Sequence, residues 1–360
     1  MTESKLLFIG SRKKADFLSA AESSLYEKLS FELLTWDKKA GLEPLVPEIE
    51  AVLPKESESF GVLAKEYDGH TSKLASSFRS AFADRNGSPM DVTGTLSLCL
   101  SVKNEDEINI LQKSAVLTNK VLKRYFVPRL ESIIDQEVSV THEALAQDVE
   151  NVIEEPTKIQ LNVPQEDVES CYFPIIQSGG TYDLKVSAQS NDSLLKHDVI
   201  IASFGSRYKM YCSNVARTFL IDPPKDVTET YNILLQMQEA CLKEMIPGKP
   251  LKSVRAAAVK FLKSEKKPNL IECLPKTLGF AIGIDFRDAA LTLNSKSNIS
   301  FRSGMCFYLG LGFINVAQKG DSGKVRSSFL FLDVVIALAQ NFLENIILKT
   351  CYTFRNTHCS

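Results

Sequence analysis

Two polar residues of a predicted hairpin, Ser203 and Asn214, stand where this chain could carry metal chemistry. Residues 199–201 predict a first strand, a Gly-Ser pair breaks it, and residues 208–219 predict a second strand. A dinuclear metal centre on such a hairpin would need one Asp on each strand, at the spacing that separates Ser203 from Asn214. A hydroxyl and a neutral amide carry no charge to offset that of a cation. The residues therefore predict that no metal is held here and that metal-dependent hydrolysis does not take place.

The composition of the chain argues against several classes of function. The chain has 360 residues, with 42 basic and 44 acidic side chains and a net charge of −2. This balance gives no strong overall attraction to nucleic acid or to an anionic membrane. The longest late apolar run, residues 334–339, is too short to span a bilayer, so no membrane partner is expected. The cysteines form no CxxC pair, which favours reduced thiols over a disulfide frame or a zinc site: Cys99, Cys171, Cys212, Cys241, Cys273, Cys306, Cys351 and Cys359.

The first part of the chain has the alternating pattern of a small α/β unit. Residues 5–10 and 60–63 predict strands, and residues 13–24 and 74–82 predict helices. An Asn-Gly-Ser-Pro break at residues 86–89 ends this pattern. We therefore expect a first α/β lobe that ends near residue 90.

The pattern beyond residue 104 is stronger. Asn104 followed by Glu107 predicts a capping box at the start of a long helix. Further helices are predicted at residues 141–152, 227–245 and 251–263, and strands at residues 172–176, 278–286, 291–293, 305–313 and 329–335. The predicted order is two helices, a hairpin, two helices and more strands. This order forms a pseudo-repeat of about 110 residues per half, as an antiparallel sheet covered by paired helices requires.

Four strings carry a family resemblance: CYFPIIQSGGTYDLK, FGSRYKMYCSNVARTFLIDPP, LGFAIGIDFRD and SGMCFYLGLGF. With this order of elements, they resemble the pita-bread fold of methionine aminopeptidases, prolidases and creatinases. Within that fold they are most similar to the peptidase-like amino-terminal domain of the large subunit of the FACT histone chaperone. The resemblance covers residues 1–333 and implies an α/β pita-bread fold, preceded by an incomplete α/β amino-terminal lobe.

The resemblance also implies where metal ligands would lie, and none of these positions retains one. The two Asp positions fall on Ser203 and Asn214, the His positions fall on Phe280 and Arg287, and the Glu positions fall on Gly310 and near Leu332. Without these ligands the Lewis acid and the activated water are both lost. We expect no cofactor, no metal and no catalytic residue. What the resemblance leaves is a candidate peptide groove: Gln177, Ser178, Ser203, Tyr211, Asn214, Phe280, Arg287 and Gly310.

Several of these residues have a second interpretation. Phe280 fills the space of the missing metals in one interpretation and contacts a ligand in the other. Arg287 either binds a ligand or forms an ion pair with Asp285 or Asp288 at the surface. The lysines near residues 260–267 form either a solvated helix end or a basic patch for acidic partners: Lys260, Lys263, Lys266 and Lys267.

The resemblance implies a nuclear, chromosome-associated binding module that takes part in nucleosome reorganisation during transcription, DNA replication and repair. Its implied partners are histones or histone segments, and other replication or chromatin proteins. The alternatives are a metal-dependent aminopeptidase or prolidase, and a chromatin adaptor without histone contact. A pull-down with core histones against replication-fork proteins would separate the adaptor from the histone-binding module.

The resemblance also divides the chain into three parts. Residues 1–94 are expected to form the incomplete lobe, residues 95–335 the catalytically inactive pita-bread domain, and residues 336–360 a tail that does not align. Relative to the family, the chain is expected to be truncated at both ends. The region that docks the FACT small subunit in full-length family members is expected to be absent.

Overall fold

The computed structural model describes residues 4–11, 29–36, 45, 47, 48, 51, 59–64, 69, 76, 79, 80, 88–180, 182–318, 325–335 and 352–354. The chain divides into two compact units, Met1–Thr95 and Leu96–Ser360. None of the helices in the described ranges has the length and apolar character to cross a membrane.

The described strands of the first unit form two small parallel sheets. Strand β1 (Ser4–Ser11) pairs with β2 (Leu29–Trp36), and β3 (Ser59–Val62) pairs with β4 (Ser88–Asp91). The predicted strands at residues 5–10 and 60–63 correspond to β1 and β3. The predicted helix at residues 13–24, and most of that at 74–82, lie outside the described residues.

Six α-helices follow in the described part of the chain: α1 (Thr93–Ser101), α2 (Glu105–Val121), α3 (Val127–Asp135), α4 (His142–Glu154), α5 (Lys225–Leu242) and α6 (Lys252–Ser264). The capping box predicted at the start of α2 is confirmed, because Asn104 and Glu107 each accept a hydrogen bond from the other's backbone N–H. Thr141 caps α4 with a single side-chain hydrogen bond, which Thr141 Oγ1 accepts from Ala144 N. A single π-helical stretch, Leu122–Phe126, joins α2 to α3.

The main sheet of the second unit has eight strands. Its order is β12 (Thr292–Asn294), β11 (Thr277–Ala281), β13 (Phe307–Gln318), β14 (Val325–Val335), β10 (Val215–Ile221), β7 (Val199–Phe204) and β6 (Ile175–Gln177). Neighbours along this path are antiparallel, and β15 (Tyr352–Phe354) adds to β10 in parallel. A smaller sheet joins β5 (Val168–Ser170), β8 (Ser206–Tyr208) and β9 (Tyr211–Cys212).

The hairpin differs from its prediction in two respects. The predicted Gly-Ser break does not separate the hairpin strands, because Ser206 already begins β8. The single second strand predicted at residues 208–219 is two strands, β9 and β10, and a turn with positive φ at Lys209 and Met210 precedes β9. Gly205 permits the close packing of this region, because a Cβ at that position would lie 2.2 Å from the Ser213 carbonyl oxygen. The chain therefore leaves the main sheet between β7 and β10 to build the smaller sheet.

Both helix pairs pack on the same face of the main sheet. Helices α5 and α6 share a core cluster with Leu309 of β13, whereas α3 and α4 share another with Val215 of β10. The next residues along these strands, Gly310 and Ala216, both pair with Leu332 of β14. Paired residues lie on one face of a sheet and successive residues on opposite faces. The face that carries positions 216, 310 and 332 is therefore the one turned away from the two helix pairs. Leu111 and Ala115 of α2 pack on this face in a third core cluster with Ala216.

Candidate functional site: a polar and aromatic centre on one face of the sheet

The two hairpin positions are joined by a third residue, Tyr172. Ser203 pairs with Ala216 across β7 and β10, and Asn214 directly precedes β10, so both lie on the face turned away from the two helix pairs. They are 5% and 3% exposed. The Tyr172 hydroxyl donates to Asn214 Oδ1 and lies 2.7 Å from Ser203 Oγ. A tyrosine hydroxyl has one proton, so Ser203 Oγ donates to it. We call Tyr172, Ser203 and Asn214 the Tyr172 triad.

Every member of the triad is neutral. Burial raises the pKa of the Tyr172 hydroxyl well above its usual range, and its hydrogen bonds to Ser203 and Asn214 only partly offset this effect. The hydroxyl thus stays protonated at physiological pH. Asn214 Nδ2 is buried and has no hydrogen-bond partner within the described ranges. An amide nitrogen is a donor and does not coordinate a cation.

An aromatic wall stands beside the triad. Phe280 is buried and stacks on Tyr308, with ring centroids 4.7 Å apart, and Phe286 packs edge-on against Phe280 at 5.7 Å. Phe286 also contacts the Tyr172 ring at 4.9 Å. These rings continue a core cluster that includes Leu111 of α2. Position 280 thus contributes ring packing, as the space-filling interpretation expects.

The two positions predicted for Glu ligands lie opposite each other in the sheet. Gly310 of β13 pairs with Leu332 of β14, and Leu332 pairs in turn with Ala216, the partner of Ser203. Tyr308 lies two residues before Gly310 and pairs with Phe280. The strand register thereby brings together the positions 203, 280, 310 and 332 that are far apart in sequence.

Charged residues surround the entrance to this centre. The exposed Arg287 guanidinium lies 5.6 Å from the centroid of the Phe280 ring, within the range of a cation–π contact. In the described part of the chain Arg287 forms no ion pair with Asp285 or Asp288. Burial lowers the pKa of Lys103, while the carboxylates of Glu107, Asp285 and Asp288 act in the opposite direction. Two cations and three carboxylates therefore nearly balance around the entrance.

Tyr211 belongs to this entrance as well. Its hydroxyl donates to Glu107 Oε1 at 2.8 Å, and Glu107 Oε2 accepts from the Asn104 backbone at the start of α2. One carboxylate thus fixes both the end of a helix and the tyrosine of β9. Burial and the Glu107 carboxylate raise the pKa of Tyr211 to about 12, so its hydroxyl is a donor at physiological pH.

Two other predicted groove residues are occupied by contacts with the protein itself. The Gln177 amide forms two hydrogen bonds with the Asp183 backbone, at 2.7 and 2.9 Å. Ser178 Oγ lies 2.8 Å from His142 Nε2 and accepts from Lys196 N at 2.8 Å. Both side chains stabilise the loop that follows β6. The structure therefore does not bring Ser178 into contact with the triad.

Sequence reasoning missed two residues here. Tyr172 was placed inside a predicted strand at residues 172–176, whereas the strand begins at Ile175 and Tyr172 lies in the preceding turn. His142 has no role in the sequence analysis, yet it is buried and contacts Ser178 and Asn191. The string CYFPIIQSGG contains Tyr172, but no local pattern shows that its hydroxyl meets residues 31 and 42 positions away.

Comparison with known proteins identifies the fold. Residues 109–333 match metallopeptidase family M24. A prolidase from Thermococcus sibiricus superposes with a TM-score of 0.73 at 19% identity, over 96% of this chain and 84% of that one. At this identity the likeness shows the fold alone, and it confirms the predicted pita-bread architecture.

The residues of this centre do not fit the metal that the M24 family name implies. Ser203 and Asn214 are neutral and already hydrogen-bonded to Tyr172, and Phe280 and Gly310 offer no side-chain donor. Within the described ranges, no group of three or more His, Cys, Asp or Glu residues could hold a metal ion.

The similarity to one branch is higher. The N-terminal domain of FACT complex subunit SPT16 from Cicer arietinum is 31% identical with a TM-score of 0.86, over 98% of this chain and 85% of that one. The SPT16 subunits of Arabidopsis thaliana and Dictyostelium discoideum are 34% and 35% identical over 94% and 93% of this chain. The chain spans about a third of their length, 33% and 32%. It therefore belongs to metallopeptidase family M24, in the branch of the FACT SPT16 N-terminal domains.

Proposed function

We propose that this chain is a non-catalytic binding module of FACT large-subunit type, which acts on histones or histone segments in the nucleus, on chromosomes. Its role would be in nucleosome reorganisation during transcription, DNA replication and repair. Similarity to SPT16 supports the assignment. The Tyr172 triad is the observation that supports the non-catalytic part of this proposal. Metal-dependent hydrolysis would need carboxylates and an activated water at this position. The triad instead has three neutral side chains joined by hydrogen bonds at Tyr172.

The accessible part of the centre favours a weak peptide contact. Ser203, Asn214 and Phe280 are buried and act as a rigid floor, whereas Tyr211, Phe286 and Arg287 are partly or fully exposed. An extended peptide would lie against these three exposed side chains. The carboxylates of Glu107, Asp285 and Asp288 would attract a basic segment, and Lys103 and Arg287 would weaken that attraction. We therefore expect low affinity that falls as salt rises, because exposed charges are screened within about 8 Å at physiological ionic strength.

Titration with each of the purified core histone subcomplexes, at several salt concentrations, tests the proposal. Asp285→Lys should weaken histone binding about threefold, the scale of one exposed charge contact. Asp192→Lys makes the same charge change at an exposed site outside the centre and should have no effect. If purified histones do not bind while purified replication or chromatin proteins do, the chain is an adaptor without histone contact.

A second measurement tests the non-catalytic part. The purified protein is incubated with excess cobalt or manganese, desalted and analysed for bound metal and for turnover of a peptide substrate. We expect neither retained metal nor turnover. Two equivalents of metal retained together with turnover would show a working peptidase.

A further inference from the structure

The exposed side of helix α6 is basic along its whole length. Between Glu244 and Glu265 the sequence has five basic residues and no acidic one. Four of them line one open groove along the helix: Lys252, Arg255, Lys260 and Lys263. We call this the α6 groove. Its volume of ≈ 680 Å³ is far larger than a single ion needs and suits several residues of a peptide.

The floor of the α6 groove is apolar. Ala256 and Val259 line it between the basic residues, one turn apart on the helix. Leu262, Ala258 and Val254 face inward and are fully buried, Val259 packs partly against the same core, and Ala256 is exposed. A row of cations beside small apolar side chains is therefore presented outward.

Two of the cations are fixed by the protein, and two are not. Lys252 Nζ donates to Asn298 Oδ1 at 2.7 Å, and the Arg255 guanidinium donates to the Pro275 carbonyl oxygen. Neither partner carries a charge. Lys260 and Lys263 are exposed and make no hydrogen bond or ion pair within the described residues. The positive charge of the groove is thus not neutralised by any of these contacts.

Helix stability does not account for this pattern. The negative end of the helix dipole favours a cation such as Lys263 in the last turn of α6. The positive end disfavours cations near the first turn, where Lys252 and Arg255 lie and where no acidic residue is present. The charges at the start of α6 therefore reduce the stability of the helix on their own, and a bound anionic partner would offset that cost.

We propose that the α6 groove binds an acidic peptide segment with small apolar side chains. The carboxylates would pair with the four cations, and the apolar side chains would lie on Ala256 and Val259. Duplex nucleic acid fits less well, because its phosphate surface gains nothing from an apolar floor. A basic histone segment would be repelled here, so this site is independent of the proposed histone contact.

Fluorescence anisotropy with the purified chain tests the proposal. The probe is a labelled peptide that alternates Glu with Ala and Leu, and polyglutamate of equal length and a short DNA duplex are compared with it. Lys260→Glu/Lys263→Glu should weaken binding of the alternating peptide by about tenfold, since two attractive contacts become repulsive. The matched control is Lys120→Glu/Lys123→Glu, which has the same spacing and charge change and lies outside the groove. It should retain the wild-type affinity.

One further variant and the two comparison probes complete the test. Lys260→Gln/Lys263→Gln removes the charges without adding repulsion and should lose several-fold in affinity, which covers the case in which the reversal variant does not fold. Polyglutamate should bind several-fold more weakly than the alternating peptide, because it lacks apolar side chains. Tightest binding of the duplex, equal losses in the groove and control variants, or no binding of the alternating peptide even at low salt would each overturn the proposal.

Discussion

The polar groups of the Tyr172 triad and of the α6 groove differ in their exposure and in their hydrogen-bond partners. In the triad, the Tyr172 hydroxyl pairs with Ser203 Oγ and Asn214 Oδ1 beside aromatic rings, and Asn214 Nδ2 has no partner among the described residues. In the α6 groove, exposed cations stand beside apolar side chains and have few partners. Removing a partner inside the protein leaves a buried polar group unpaired, whereas removing a solvated charge costs little. The triad should therefore determine stability, and the groove should determine binding.

The largest expected effect comes from placing carboxylates at the two hairpin positions. Ser203→Asp/Asn214→Asp would bury two like charges next to the Tyr172 hydroxyl and should lower the free energy of unfolding by about 4 kcal/mol. Denaturant unfolding at neutral pH measures it. Added cobalt or manganese should not restore stability, because Phe280 and Gly310 supply no further ligand.

Ser203→Ala/Asn214→Ala is the matched control for the charge. It removes the same hydrogen bonds from Tyr172 without adding carboxylates and should cost about half as much. If the Asp pair bound two equivalents of metal and regained wild-type stability, the centre would be a metal site lacking only two ligands. The triad would then also be a binding site, and it would no longer differ from the groove in determining stability alone.

A smaller loss is expected from removing one hydroxyl. Tyr172→Phe keeps the ring against Phe286 but leaves Asn214 Oδ1 and Ser203 Oγ without this partner, which should cost about 2 kcal/mol. Tyr125→Phe removes a tyrosine hydroxyl that is only partly buried and is the control. Equal and negligible changes in the two variants would show that the triad contributes no more than a surface tyrosine.

Local sequence patterns predicted most elements of the second unit, because they depend on near neighbours. The cap at Asn104 and the helix at residues 251–263, observed as Lys252–Ser264, follow from spacing and capping chemistry alone. The strand predicted at residues 278–286 ends at Ala281, where the chain turns back and Asp288 N donates to the Ala281 carbonyl oxygen. Such an end depends on a contact between loops and has no strong local pattern.

The candidate site was predictable only in part, for the same reason. Residue type at positions 203 and 214 was enough to suggest that the metal ligands are absent. The replacement by Tyr172 depends on how the turn before β6 packs against the hairpin, which is a tertiary contact. The α6 groove was predictable only in part, because two of its four basic residues, Lys260 and Lys263, belong to the lysine cluster near residues 260–267. Its apolar floor and the fixed positions of Lys252 and Arg255 required the structure.

Because the Tyr172 hydroxyl is shielded from water, the free energy of unfolding should fall at alkaline pH. Its pKa is raised in the folded state, so the neutral form contributes stability that is fully present below the unfolded value of about 10. That contribution falls as pH rises above 10 toward the folded pKa, with a slope of up to about 1.4 kcal/mol per pH unit. Tyr182 shifts in the same direction, so the comparison must be wild type against Tyr172→Phe. The wild type should lose more stability between pH 10 and 11 than the variant, as measured by urea unfolding. Parallel pH profiles would show that the Tyr172 hydroxyl is not shielded from water.

The smallest expected effect is on the stability of the α6 groove variants. Lys260 and Lys263 are exposed and have no partner within the described residues, so Lys260→Glu/Lys263→Glu should change the free energy of unfolding by less than about 0.5 kcal/mol. The helix dipole sets the sign of any residual change. Glu in the last turn is unfavourable, so a slight loss is expected there, whereas Lys252→Glu in the first turn should give a slight gain. Thermal unfolding of both variants measures the difference. A loss of several kcal/mol in the reversal variant would mean that these lysines support the fold. The groove lysines would then contribute to stability as the triad does. A binding partner would not be needed to explain their positive charge.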